Sequence, residues 1–150
     1  MHKGLLFGII LIAFSAGGQS AAGKFDGTWN TTVTCDAVGG TQGYTFHFPS
    51  TVTGDVLHGE RGTNGQPAYL AIDGKIGKDG KAKLTASGVT AGSQYTHGPI
   101  KAQGQDYSYE VKSEFTATEG KGERSTGLGI VGRPCHFTFE KQGGAEAPKP

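Results

Sequence analysis

Cys35 and Cys135 are the only two cysteines in the 150 residues, and each lies in phase with a run of alternating side chains. In Trp29-Asn30-Thr31-Thr32-Val33-Thr34-Cys35, a two-residue period sets Trp29, Thr31, Val33 and Cys35 on one face. Cys135-His136-Phe137-Thr138-Phe139-Glu140-Lys141 does the same for Cys135, Phe137 and Phe139. Such alternation marks a β-strand with one wet and one buried face. Two cysteines can pair in only one way. If the two strands then lie side by side and antiparallel, the numbers of opposite partners sum to 170, so Val33 faces Phe137, Thr31 faces Phe139 and Trp29 faces Lys141. The apolar faces coincide in this register, whereas a one-residue slip would put them on opposite sides. A first strand beside the last closes a sheet, so a barrel is expected. Closing a loop of this length contributes about 4–5 kcal/mol in the chain-entropy model.

Oxidised cysteines belong to an oxidising compartment, and the N-terminus reads as the route there. Met1-His2-Lys3-Gly4 precedes an apolar run from Leu5 to Phe14 and then small residues, the pattern of a secretory signal peptide. Ser20-Ala21-Ala22 is a small-x-small site that places cleavage before Gly23. A bilayer span takes about 20 apolar residues, roughly twice this run. No cysteine adjoins the cleavage site to carry a lipid. The expected division is a leader over 1–22, one β-domain over 23–142 and a disordered tail over 143–150. The expected location is periplasmic or secreted, with no membrane span after cleavage. Lys3 is the only charged side chain in the leader, so 13 of the 14 Lys and Arg remain against 13 Asp and Glu. A formally neutral chain without basic runs lacks the concentrated positive surface that nucleic acid or a polybasic membrane contact requires.

The longest alternating run is Asp106-Tyr107-Ser108-Tyr109-Glu110-Val111-Lys112-Ser113-Glu114-Phe115, polar at every even position. Tyr44-Thr45-Phe46-His47-Phe48 sets three aromatics on one face and His47 on the other. Further strands are expected over Asp55–Arg61, Tyr69–Ile76, Lys81–Ser87, Thr96–Ile100 and Lys121–Thr126, and Asp79-Gly80 is a hairpin signal. No helical period with caps interrupts them, and no repeat of 20–50 residues is evident. The 27 glycines fall between the alternating segments, as turns do. These features predict an all-β fold: a single antiparallel barrel, or closed sandwich, of about eight strands. Ala82 and Ala86 are inward and small, leaving either a ligand-sized void or a thin core.

Few motifs carry chemistry. Gly127-Leu128-Gly129-Ile130-Val131-Gly132 matches G-x-G-x-x-G, but Arg133-Pro134-Cys135 and a strand follow where a dinucleotide site needs a helix. The match is read as a loop. His47, His58, His97 and His136 have no metal-ligand spacing, and paired cysteines are not thiolate ligands, so neither a metal nor another cofactor is expected. Asp26, Asp55, Asp73, Asp106 and the glutamates sit in turns or on wet faces, and no nucleophile elbow or HExxH is present. Asn30-Thr31-Thr32 is a glycosylation sequon lying inside a strand of a chain with a bacterial-type leader, and is read as chance. The material for a binding surface is aromatic. Trp29, Tyr95, Tyr107 and Tyr109 are the candidates for ligand or partner contact, with core packing the competing role for Tyr107 and Tyr109. Tyr95 stands in the loop Ala91–Gly98, where a core role explains it least.

Gly27-Thr28-Trp29 resembles the G-x-W signature of calycins, the lipocalin and avidin barrels. That resemblance implies a ligand-binding barrel with a basic side chain across the tryptophan, and Lys141 takes that place in the register above. Calycins use arginine there, and Arg133 lies at the other end of its strand. Ser93-Gln94-Tyr95-Thr96-His97-Gly98 is similar to the S-x-Y-x-x-G loop of bacterial periplasmic lysozyme inhibitors, although Ile100-Lys101-Ala102 replaces their following residues. The framing segments Phe25–Trp29 and Gly132–Phe139 resemble those of uncharacterised exported bacterial small β-domains. The expectation is a non-enzymatic exported binding domain, with a small molecule in the barrel or a protein partner on its loops. A hydrolase using two carboxylates is the alternative from another class, and a purely structural envelope role is a third.

Overall fold

The alternating segments form eight strands: β1 (Gly27–Cys35), β2 (Tyr44–Thr53), β3 (Val56–Arg61), β4 (Leu70–Lys75), β5 (Lys81–Val89), β6 (Asp106–Phe115), β7 (Glu119–Arg124) and β8 (Cys135–Lys141). The computed structural model describes residues 22–96, 103–125 and 133–143. Each strand pairs antiparallel with the next and β8 pairs with β1, closing an up-and-down barrel. The closing ladder sets Val33 opposite Phe137, Thr31 opposite Phe139, Trp29 opposite Lys141 and Cys35 opposite Cys135. The two cysteines are bonded, with Cα atoms 4.0 Å apart. The fold class and the register inferred from the cysteines are both present.

Differences arise at strand ends. Asp55 was expected to begin a strand, but with Gly54 it forms a two-residue turn, at φ of 63° and 58° respectively. Asp tolerates this left-handed region, and the geometry matches the twist of the flanking strands. β2 continues past Phe48 through Pro49 to Thr53. Proline is tolerated because the β2–β3 ladder starts only at Ser50, so no β3 carbonyl needs its missing N–H. The strand expected over Thr96–Ile100 is not seen where the chain is described. A short 3-10 turn, Ser93–Tyr95, occupies this connection and Thr96 follows it without strand pairing. The remainder of that segment, His97, the Gly127–Gly132 motif, leader residues 1–21 and tail residues 144–150 lie outside the described residues.

Alternation delivers one set of side chains to the interior. Trp29, Val33, Leu57, Ile72, Leu84, Ala86, Val111, Phe137 and Phe139 are all buried there. Down the barrel runs a chain of neighbouring rings. Centroid separations are 5.9 Å for Tyr107–Tyr109, 6.5 Å for Tyr109–Phe137, 6.3 Å for Phe137–Phe139, 4.9 Å for Phe139–Phe115 and 5.7 Å for Phe115–Trp29. Small inward residues make room for it. Gly120 lies opposite Phe115, whose ring fills the space a Cβ would take. Ala82 and Ala86 both belong to the buried core.

The two barrel ends differ. At one, the connections are short, over 54–55, 76–80 and 116–118. The segment before β1 folds beneath this end and buries Phe25, whose carbonyl accepts the Trp29 Nε1–H at 2.9 Å. Asp26 anchors the same segment by accepting the backbone N–H of Gly23 at 2.9 Å and of Asp55 at 3.0 Å. These bonds to the charged form hold its carboxyl below the usual range. Longer connections over 36–43, 62–69, 90–105 and 125–134 mark the opposite, open end. On the outer wall Val56 is the only exposed large apolar side chain among the described residues.

Candidate functional site

The open end gathers the half-buried aromatics. Tyr44 and Phe46 on β2 and Tyr107 and Tyr109 on β6 occupy inward positions and pack on the top of the core. Strand lengths explain why they are not covered. β3 and β7 have 6 residues each, whereas β2 and β6 have 10. The β2–β3 ladder reaches up only to Ser50 and the β6–β7 ladder only to Val111, so the upper half of each long strand has a neighbour on one side alone. Each short strand ends in an inward arginine that covers the exposed ring of its long neighbour. Arg61 Cζ stands 3.7 Å from the Phe46 centroid and Arg124 Cζ 4.3 Å from that of Tyr109.

These two half-sites resemble each other. Tyr44–Arg61 and Tyr107–Arg124 align without a gap at a constant offset of 63 residues. Tyr44, Ser50, Thr53, Gly59, Glu60 and Arg61 recur as Tyr107, Ser113, Thr116, Gly122, Glu123 and Arg124. Register is kept as well: Ser50 pairs with Gly59 as Ser113 pairs with Gly122. Four strands separate the half-sites in a barrel of eight, so they face each other across the opening.

A third arginine breaks the symmetry. Arg133, two residues before Cys135 and in its phase, is 4% exposed. Its Nη2 donates to Thr41 Oγ1 and to the Gln42 carbonyl, both at 2.6 Å, and its Cζ is 5.3 Å from the Tyr44 ring centroid. Tyr95 meets Tyr44 edge-on at 6.0 Å, and the Gln42 N–H donates to the Gln94 carbonyl at 2.8 Å, bringing Gln94 and Tyr95 to the same end. Burial pushes the hydroxyls of Tyr44, Tyr107 and Tyr109 up, and the arginine charges nearby partly oppose it. The three phenols therefore stay protonated at neutral pH and act as hydrogen-bonding groups over apolar rings.

Of the four aromatic candidates read from sequence, Tyr95, Tyr107 and Tyr109 meet at the open end. Trp29 does not. It is 0% exposed at the closed end, edge-on to Phe115, with Lys141 Nζ 5.8 Å from its centroid. Tyr44, Phe46, Arg61, Arg124 and Arg133 were not singled out by sequence reasoning. The signal that could have found four of them is the 18-residue similarity, whose offset exceeds the spacing of a tandem repeat. His47, His58 and His136 are exposed on the outer wall, and no three His, Cys, Asp or Glu side chains among the described residues are grouped to hold a metal ion. The partnered carboxylates Glu60, Asp73 and Asp26 serve Tyr69, His58 and the backbone below the barrel. No described helix is long and apolar enough to cross a membrane.

The structure thus defines a closed eight-stranded antiparallel β-barrel with an arginine- and tyrosine-lined open end. No family model, curated protein or solved structure matches the chain.

Proposed function

We propose that this protein is a non-enzymatic, exported binding domain that takes a small organic ligand at the open end of its barrel. The observation that carries this reading is the pair of opposed half-sites, in which Arg61 covers Phe46 and Arg124 covers Tyr109. Half-buried aromatic rings interleaved with guanidinium groups suit a small organic ligand that carries both apolar and polar parts. The ring chain from Tyr109 to Trp29 occupies the barrel's depth, so the ligand is seated at the mouth rather than deep inside. The Cys35–Cys135 bond, the polar outer wall and the basic-apolar run at Met1–Phe14 support export to a periplasmic or extracellular location. Gly27-Thr28-Trp29 with Lys141 near the indole supports the likeness to calycin-type ligand-binding barrels.

A nuclear magnetic resonance screen of the mature chain against small neutral and charged aromatic molecules tests the reading. Binders are expected to shift the amides of Tyr44–Phe46 and Tyr107–Tyr109 and leave the Trp29 indole N–H in place. Binders that all perturb the outer wall or the closed end, or a set with no binder, would overturn it.

A further inference from the structure

We propose that the open end is an oxyanion site, in which Arg133 anchors the carboxylate or phosphate of an aromatic ligand whose ring lies against the mouth tyrosines. This inference rests on the binding-domain reading above and specifies the ligand's charge. A guanidinium is charged at any physiological pH, and that of Arg133 is almost wholly withdrawn from water. Its close acceptors, the Thr41 hydroxyl and the Gln42 carbonyl, share one nitrogen, and the Tyr44 hydroxyl also interacts with the guanidinium; all three are neutral. Among the described residues, Nε and Nη1 are buried and complete no hydrogen bond. Buried charge is ordinarily paired, and buried donors are ordinarily satisfied.

The surroundings add positive charge rather than cancel it. Arg61 and Arg124 face the same mouth, and none of the three arginines forms an ion pair with a carboxylate among the described residues. Glu60 and Glu123, the neighbours of Arg61 and Arg124 in sequence, are exposed on the outward phase of their strands and engage Tyr69 and His136. Three guanidinium groups with no ion-paired carboxylate among the described residues create a field that an anion relieves, and charge-assisted hydrogen bonds from arginine to an oxyanion are strong and directional. The half-buried rings of Tyr44 and Tyr109 supply apolar contact for the rest of the ligand.

The test uses the mature chain and four probes: benzoate, phenyl phosphate, benzamide and sodium chloride at matched ionic strength. The Arg133 Nε–Hε resonance is expected to shift saturably with benzoate, phenyl phosphate or both, and the stronger of the two identifies the headgroup. Benzamide and chloride should leave it unmoved. Arg133→Met should weaken oxyanion binding by about tenfold or more, with Arg133→Lys in between. Circular dichroism and Trp29 emission report whether each variant is folded; should Arg133→Met unfold, the Nε–Hε shift in the wild type and the Lys variant decide the matter. An Arg133 resonance that ignores both oxyanions, follows chloride equally well, or binding that survives in Arg133→Met, would overturn the proposal. Benzamide shifting the mouth tyrosines while both oxyanions do nothing would overturn the anion inference and leave the binding-domain reading standing. No probe shifting the mouth would count against both.

Discussion

His58 and Asp73 face each other across β3 and β4 on the outer wall, with Nδ1 and Oδ1 2.6 Å apart. The hydrogen bond to Asp73 favours the imidazolium and raises the His58 pKa above its ordinary 6.5. A group raised by folding stabilises the native state fully below its unfolded pKa, and that contribution fades as pH rises through the folded value. Proton resonance titration should therefore place the His58 midpoint above 6.5, and Asp73→Asn should bring it back toward 6.5. Both side chains are more than half exposed, so water screens the effect on global stability. Gly120 is the opposite kind of position. A Cβ there would come within 2.6 Å of the Phe115 ring, which is already wedged against Phe139 and Trp29. Gly120→Ala should cost about 1–3 kcal/mol in urea unfolding, as overpacking does. Alternation could identify Phe115 as inward, but not that its partner must be glycine. That need comes from the cross-strand neighbour, which a single strand's pattern does not contain.

At the scale of the element, the two long-strand, short-strand hairpins are the working parts. Each leaves its upper aromatic positions open and lays an arginine over one ring. Truncating Arg61 or Arg124 to alanine should cost about 0.5–1 kcal/mol each by removing one cation–π contact. Because the two lie on opposite sides of the barrel, the double variant should cost close to the sum. Chemical denaturation of the four proteins checks this, and a large non-additive term would show that the half-sites communicate. The strands themselves were legible: Asp106–Phe115 and Cys135–Lys141 appear with the expected bounds. β3 also ends at Arg61 as expected, but β7, expected to run to Thr126, stops at Arg124, and these ends decide where the mouth opens. A strand stops where its partner stops hydrogen bonding, and that depends on a ladder rather than on the strand's own residues. The arginines were hidden for a related reason. A charged residue at a strand's edge looks solvated until a ring is seen beneath it.

For the molecule as a whole, the covalent closure between β1 and β8 matters most. The 100-residue separation of the two cysteines makes it a long constraint on the unfolded chain. Replacing both by serine should cost about 2–5 kcal/mol while leaving the β-type circular dichroism spectrum unchanged, since the ladder beside the bond survives. A loss of strand signal under native conditions would instead show that the barrel cannot close without it. The two ends would respond differently to partial unfolding. The closed end is tied by Phe25, Trp29 and the Asp26 hydrogen bonds, whereas the open end depends on longer connections. Amide exchange should accordingly be slower around Trp29 than around Tyr44.

By itself, the sequence determined that this chain is all-β, that its first and last strands lie side by side, and which residue of each faces which. Two-residue periodicity and a single possible disulfide are local facts, and together they leave one register. Only the tertiary structure decided that Trp29 belongs to the floor and Tyr95, Tyr107 and Tyr109 to the mouth. It also decided that three arginines converge there, one of them buried with no ion-paired carboxylate among the described residues. Those facts depend on which strands end early and on what lies across the barrel, distances that no stretch of sequence records.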